Sequence, residues 1–344
     1  MSESEPIEAP HPRETTAWFG HAEAERTLLD AFRSGRIPHA WLIGGEPGIG
    51  KATLAYRMAR FVLANPNPAA PQVQNARSLA IPPDHAAARR VAAQSHPDLL
   101  VLERTPGPSG ALRTVITVDE VRRTVSFFGS TAGEGGWRVC IVDTADELQQ
   151  PQAANALLKV LEEPPQRALF LIASNAPGRL LATIRSRCRK LMLRPLAEEA
   201  VARAAAAALE RSDDDAELRE AARAAQGSVG RAIALMGGRT LAVREQVIKL
   251  LGRLPSTDPH ALHALGDALA RADIPALEAC IDAMRDWLTA QLSAEPANPA
   301  RLARVAEVWE KLNRAAGEVE EYNLERKPLV FAAFGLLAEA ARLN

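Results

Sequence analysis

The residues best placed to do chemistry lie in GEPGIGKAT, from Gly45 to Thr53. The stretch follows the phosphate-loop pattern G-x-x-x-x-G-K-S/T up to its final position. Gly45, Gly48 and Gly50 would let backbone N–H groups turn toward phosphate oxygens, at a helix start that already favours anions. Lys51 would add a point charge. The final position should supply a hydroxyl to Mg²⁺, and it is Ala52. Thr53 stands beside it, but one residue is about 100° of rotation in a helix, so its hydroxyl is expected to face elsewhere. Asp143 closes a short apolar run, Val139–Val142, where it is placed to hold Mg²⁺. The next residue is Thr144, whose hydroxyl is far too weakly basic at neutral pH to activate water. Glu147 is expected in the following loop or helix. A nucleotide site is outlined, with two of its parts missing.

Positioning these groups requires alternating strands and helices. Short apolar runs bounded by polar residues read as buried strands: Trp41–Gly44, Leu99–Leu102, Val139–Asp143, Leu169–Ser174 and Lys190–Arg194. Ala55, Met58, Ala59 and Val62 recur at helical spacing after the glycine loop, the strand–loop–helix context a phosphate loop needs. A helical pattern also covers Trp18 to Arg33. Pro151 stands near the first turn of another helix, with Ala154, Leu157, Leu158 and Leu161 on one face and Pro164-Pro165 as its stop. A loop is expected from the fourth strand to Ser186-Arg187-Cys188. Strands alternating with helices imply a parallel sheet.

After Pro195 only helical periodicity remains. Leu277, Ile281, Met284 and Leu288 form one stripe, and Leu302, Val305, Trp309 and Leu312 another; both read as helix-packing core. Residues 1–16, acidic and proline-containing, are expected to be disordered and have no signal-peptide character. Residues 64–95 are dense in proline and read as an irregular surface insertion, with one helix at Ala86–Ala93.

Composition narrows the function. The 344 residues exceed one typical domain, so two or three are expected. A formal net charge of −1 gives no electrostatic reason for the chain to bind nucleic acid alone. The three cysteines, Cys140, Cys188 and Cys280, are far apart and make no metal spacing. They read as reduced thiols in a cytoplasmic protein. No apolar stretch of about 18 residues exists, so no membrane span is expected.

NALLKVLEEPP (Asn155–Pro165) followed by TIRSRC (Thr183–Cys188) resembles the AAA+ module of bacterial clamp-loader subunits, the delta-prime family of DNA polymerase III among them. The resemblance implies a five-stranded parallel AAA+ P-loop domain (17–195), a small helical lid (196–240) and an all-α collar that oligomerises (241–344). Many relatives carry a four-cysteine zinc module near 64–95; this chain has no cysteine before Cys140, so no metal is expected. Active AAA+ motors follow the strand-end Asp with Glu, where this chain has Thr144. They also carry a lid arginine directly after Gly-Ser-x, where this chain has Gly230, with Arg231 one later. Ser174 and Asn175 fit the family's phosphate-sensing position. The resemblance makes Arg187 an arginine finger acting in trans on a neighbour's ATP.

The resulting expectation is an ATPase-deficient stator of the clamp loader. It would assemble with the delta and gamma/tau subunits and reach the sliding clamp and primed DNA through the complex. It needs no cofactor; ATP or ADP would bind only weakly through Gly45, Gly48, Gly50, Lys51, Thr53 and Asp143. The alternative is an active AAA+ motor of a clamp or helicase loader, which Ala52 and Thr144 count against. A small-molecule P-loop kinase leaves the helical second half unexplained.

Overall fold

The computed structural model describes the chain apart from residues 1–8, 108–109, 111, 130–132, 134–135, 237–238, 271–273, 295–298, 323 and 343–344. It divides into two compact units, one ending at Ala232 and the other beginning at Ile233.

The first unit is built on five parallel strands: β1 (Ala40–Gly44), β2 (Leu99–Leu102), β3 (Arg138–Val142), β4 (Ala168–Ser174) and β5 (Arg189–Met192), in the order β2-β3-β4-β1-β5. Every residue of β1 and β4 is buried, as expected of central strands covered on both faces. Alternate residues feed two cores. Trp41, Ile43, Val139, Ile141, Leu169 and Leu171 join α1 (Ala22–Arg33) and α2 (Lys51–Ala64). Leu42, Cys140, Val142, Phe170 and Ile172 join α5 (Val118–Gly129), α6 (Gln152–Glu162) and α7 (Ala182–Arg187). The period of two along each strand sets which helices cover which face.

Three local expectations are corrected. Residues 9–16 are ordered: Arg60, nearly buried, donates to Arg13 O and Thr15 O at 2.9 and 2.6 Å, and Arg57 donates to Thr16 O at 2.8 Å. A buried guanidinium requires acceptors, and this segment supplies them. Residues 1–8 of the expected tail lie outside the described residues. The proline-rich stretch is not a loose excursion, because Val73, Leu79 and Val91 belong to the core over α2. It contains α3 (Pro71–Gln74) and α4 (Ala86–Ala92), and Leu79 N donates to Glu25 Oε1, which also pairs with Arg57. Ser186 and Arg187 lie in the short helix α7 rather than in a loop.

Three helices follow the sheet: α8 (Glu198–Leu209), α9 (Ala216–Ala224) and α10 (Val229–Leu235). Asp215 caps α9, its carboxylate accepting from Glu217 N and Leu218 N.

The second unit is all-helical: α11 (Arg239–Leu251), α12 (Pro259–Ala270), α13 (Ile274–Ala294), α14 (Pro299–Tyr322) and α15 (Arg326–Ala341). Its core takes the whole first stripe, Leu277, Ile281, Met284 and Leu288. The second stripe is buried at Val305 and Leu312, but Leu302 is 39% exposed. No helix among the described residues is long and apolar enough to cross a membrane.

Burial separates the two stripes energetically. Met284→Ala is expected to destabilise the chain by about 2–5 kcal/mol, whereas Leu302→Ala should stay within about 0.5 kcal/mol. Denaturant unfolding of both variants checks this.

Candidate functional site

Strand β1 delivers the glycine loop to the C-terminal edge of the sheet, and the loop enters α2 directly. Gly45, Gly48 and Gly50 have φ of +146°, +72° and +101°. Gly50 stands immediately before the helix. These left-handed angles favour glycine and curl the loop into the shape the sequence predicts.

The loop's carbonyl groups turn outward and four in succession accept hydrogen bonds from the chain itself. Lys51 Nζ donates to Glu46 O at 2.5 Å. Ser228 Oγ donates to Pro47 O at 2.9 Å, and Gly230 N to Gly48 O at 3.0 Å. His21 Nε2 lies 3.0 Å from Ile49 O; a carbonyl only accepts, so this nitrogen carries a proton. Residues from the N-terminal segment and from the α9–α10 turn therefore clasp the loop from two sides.

That clasp explains the missing lid arginine. A Cβ on Gly230 would stand 3.0 Å from Gly48 Cα, and a Cβ on Gly48 would stand 2.4 Å from Ser228 Oγ. The two backbones meet only because both positions are glycine. Arg231 N donates to Ser228 Oγ, which fixes the turn.

Lys51 is 6% exposed. Burial lowers its pKa to about 8, against the opposing influence of Asp146, Asp143 and Glu46. Asp143 is raised, mainly by burial, with His11, Thr144 and Lys51 pulling the other way. Thr144 Oγ donates to Asp143 Oδ1 at 3.4 Å. Glu147 ends a one-turn helix and pairs with Arg104 at 3.0 Å, its carboxylate raised by burial. Thr53 is half-buried in the first turn of α2.

Sequence reasoning gave no weight to Asp146, yet its carboxylate organises the tip of β4. Oδ1 accepts from Ser174 Oγ at 2.8 Å and from Ala176 N at 3.1 Å, and Oδ2 accepts from Asn175 N at 2.5 Å. Of the polar pair expected to sense a phosphate, Ser174 thus gives its hydroxyl, and Asn175 its backbone N–H, to a carboxylate of its own chain. His21 and Ser228 were missed as well. Ser228 sits in the Gly-Ser-x-Gly punctuation visible in the sequence, but nothing there shows its partner.

Gly45, Gly48, Gly50, Lys51, Thr53 and Asp143 gather at this edge of the sheet. Arg187 does not. It ends α7 just before β5, and β5 runs parallel to β1 with Trp41 opposite Arg189 and Gly44 opposite Met192. Arg187 therefore enters at the N-terminal edge, while the glycine loop leaves from the C-terminal edge. A four-residue strand at about 3.3 Å per residue separates them by roughly 13 Å. Behind it, burial pushes the Cys188 thiol up to about 11, as for an inert packed cysteine.

The lysine yields a pH prediction. Its folded pKa, about 8, lies below the ordinary lysine value of 10.5, so between these values the unfolded chain holds more protons than the folded one. Stability contributed by this position therefore rises with pH across that window. The stability of wild type relative to Lys51→Met should increase from pH 8 to pH 10.5, as read by denaturant titration at each pH.

A family model described as "DNA polymerase III, delta subunit" matches residues 20–197, which is more than half of the chain. The DNA polymerase III subunit delta' of Escherichia coli K12 is 34% identical over 238 residues, covering 69% of this chain and 66% of that protein. That of Pseudomonas aeruginosa is 41% identical over 150 residues, or 44% of this chain and 41% of the relative. A DNA polymerase III subunit tau/gamma from Haemophilus influenzae is 27% identical over 276 residues, covering 76% of this chain and 36% of the relative. The chain thus spans less than two thirds of the length of these curated relatives. The match over the sheet, the glycine loop and α7 shows that the chain belongs to the DNA polymerase III delta subunit family.

Proposed function

We propose that the protein is the delta-prime-type stator of a bacterial clamp loader, which supplies Arg187 to a neighbouring subunit's ATP site. The observation that carries this reading is the placement of Arg187 at the opposite edge of the sheet from its own glycine loop. A guanidinium there serves a phosphate on another chain far better than one on its own. Arginine suits that task because it stays charged and presents a planar fork of donors. A finger of this kind is worth ~10³–10⁵ in rate in phosphoryl transfer.

The same chain is not expected to hydrolyse ATP. Ala52 offers no metal ligand and Thr144 no base. The loop's carbonyls and lysine are already engaged with the chain's own groups. Nucleotide is unnecessary to hold the loop in shape, and ATP or ADP would bind weakly. In this reading the helices from α11 onward join equivalent domains of delta and gamma/tau subunits. The sliding clamp and primed DNA are reached through that complex, in the cytoplasm.

Arg187→Ala should leave folding and assembly unchanged, since the loss of a partly exposed ion pair costs about 0.2–1 kcal/mol. It should slow clamp- and DNA-stimulated ATP hydrolysis by the reconstituted complex, and Arg187→Lys should restore little. Equal rates for wild type and the alanine variant would remove the finger role.

The collar role is tested by truncation. A fragment ending before α11, at about residue 238, keeps the sheet and its two cores and should remain folded by circular dichroism. It should fail to co-purify with the partner subunits. Retention of the fragment at full stoichiometry would place assembly elsewhere in the chain.

A further inference from the structure

The guanidinium of Arg187 is folded back on its own chain. Nη1 donates to Thr183 O, one turn earlier in α7, at 3.0 Å. Nη2 lies 2.7 Å from Glu162 Oε1. A side chain bonded to the carbonyl four residues back runs along its helix rather than away from it. To reach a phosphate on another subunit it must extend, and both bonds must break.

Glu162 is held in place by its surroundings. It is the last residue of α6, where Glu163 leaves the helical conformation and Pro164-Pro165 prevent continuation. Helices α6 and α7 share a core through Leu157, Leu161 and Ile184. The carboxylate is therefore carried beside the arginine on a packed element, not on a loop that drifts. If it remained paired while Arg187 met a phosphate, two anions would face one guanidinium. Exchange of partners is the favourable course, because a triphosphate carries more negative charge than a single carboxylate.

We propose that Glu162 is a positioning residue for Arg187: it latches the finger on its own chain until a neighbouring subunit's triphosphate competes for the guanidinium. This inference rests on the finger reading of Arg187. The magnitudes suit a latch. The Arg187 and Glu162 side chains are 34% and 47% exposed, and exposed pairs contribute about 0.2–1 kcal/mol. That range corresponds to about a 1.4- to 5-fold bias between latched and released arginine. The latch holds in the free chain and gives way readily on assembly.

The decisive measurement is a double-mutant cycle in the reconstituted complex with clamp and primed DNA. It compares wild type, Glu162→Gln, Arg187→Ala and the double variant by single-turnover ATP hydrolysis. Glu162→Gln is expected to accelerate hydrolysis by about 1.4- to 5-fold, and this gain should vanish when Arg187 is alanine. An unchanged or slower rate for Glu162→Gln, or an equal change in both backgrounds, would overturn the latch and leave an ordinary surface ion pair. In the isolated chain, Arg187 guanidinium N–H resonances, assigned with Arg187→Lys, should show slower rotation in wild type than in Glu162→Gln, where only the bond to Thr183 O remains. Identical rotation in both would also overturn it. A failure of the finger reading looks different: Arg187→Ala would itself leave hydrolysis unchanged, and the latch would fall with it.

Discussion

Four consecutive carbonyl groups, from Glu46 to Ile49, find their hydrogen-bond donors within the chain, and much of the first unit is arranged around that fact. Backbone groups removed from water must be paired. Here one donor is the lysine of the loop itself, one comes from the N-terminal segment, and two come from Ser228 and Gly230 at the start of α10. Each donor ties a separate part of the chain to the loop. The segment before α1 is further held by Arg57 and Arg60, whose buried guanidinium groups take its carbonyls as acceptors. The loop is thus a junction for three stretches that are distant in sequence.

The parallel sheet gives the molecule two chemically different edges. Loops leaving the C-terminal ends of β1, β3 and β4 bring Lys51, Asp143 and Asp146 into mutual electrostatic range. At the other edge, the chain enters β5 through α7 and presents Arg187 with Glu162. Because the strands run the same way, no side chain at one edge can readily serve the other. Arg187 and the glycine loop therefore belong to different edges of one sheet.

The five strands were legible because each is a short apolar run with polar ends, and burial on both faces leaves little room for other residues. The glycine loop was legible because its φ values demand glycine at Gly45, Gly48 and Gly50. What was not legible depends on long-range pairing. Val73 and Leu79 lie among prolines that suggest a surface excursion, yet they complete the core over α2. Arg57 and Arg60 look like the polar face of a helix and are buried under the N-terminal segment. Leu302 fits a helical stripe and faces water, because periodicity defines a face but not what covers it. Asp146 carries no motif; its three donors come from the tip of a strand almost thirty residues away in sequence.

The glycines and Lys51 need not imply nucleotide chemistry at their own site. Gly48 and Gly230 are required wherever these two backbones approach, since a Cβ on either would collide with the other segment. Lys51 satisfies Glu46 O, and its burial disfavours its charge rather than exploiting it. Both features of the motif therefore have a structural use that survives the loss of the hydroxyl at Ala52 and of the carboxylate at Thr144. Restoring those two groups would leave the clasp intact, with Ser228 and Gly230 still seated on the loop. The loop's shape is therefore held by packing and backbone pairing within the chain.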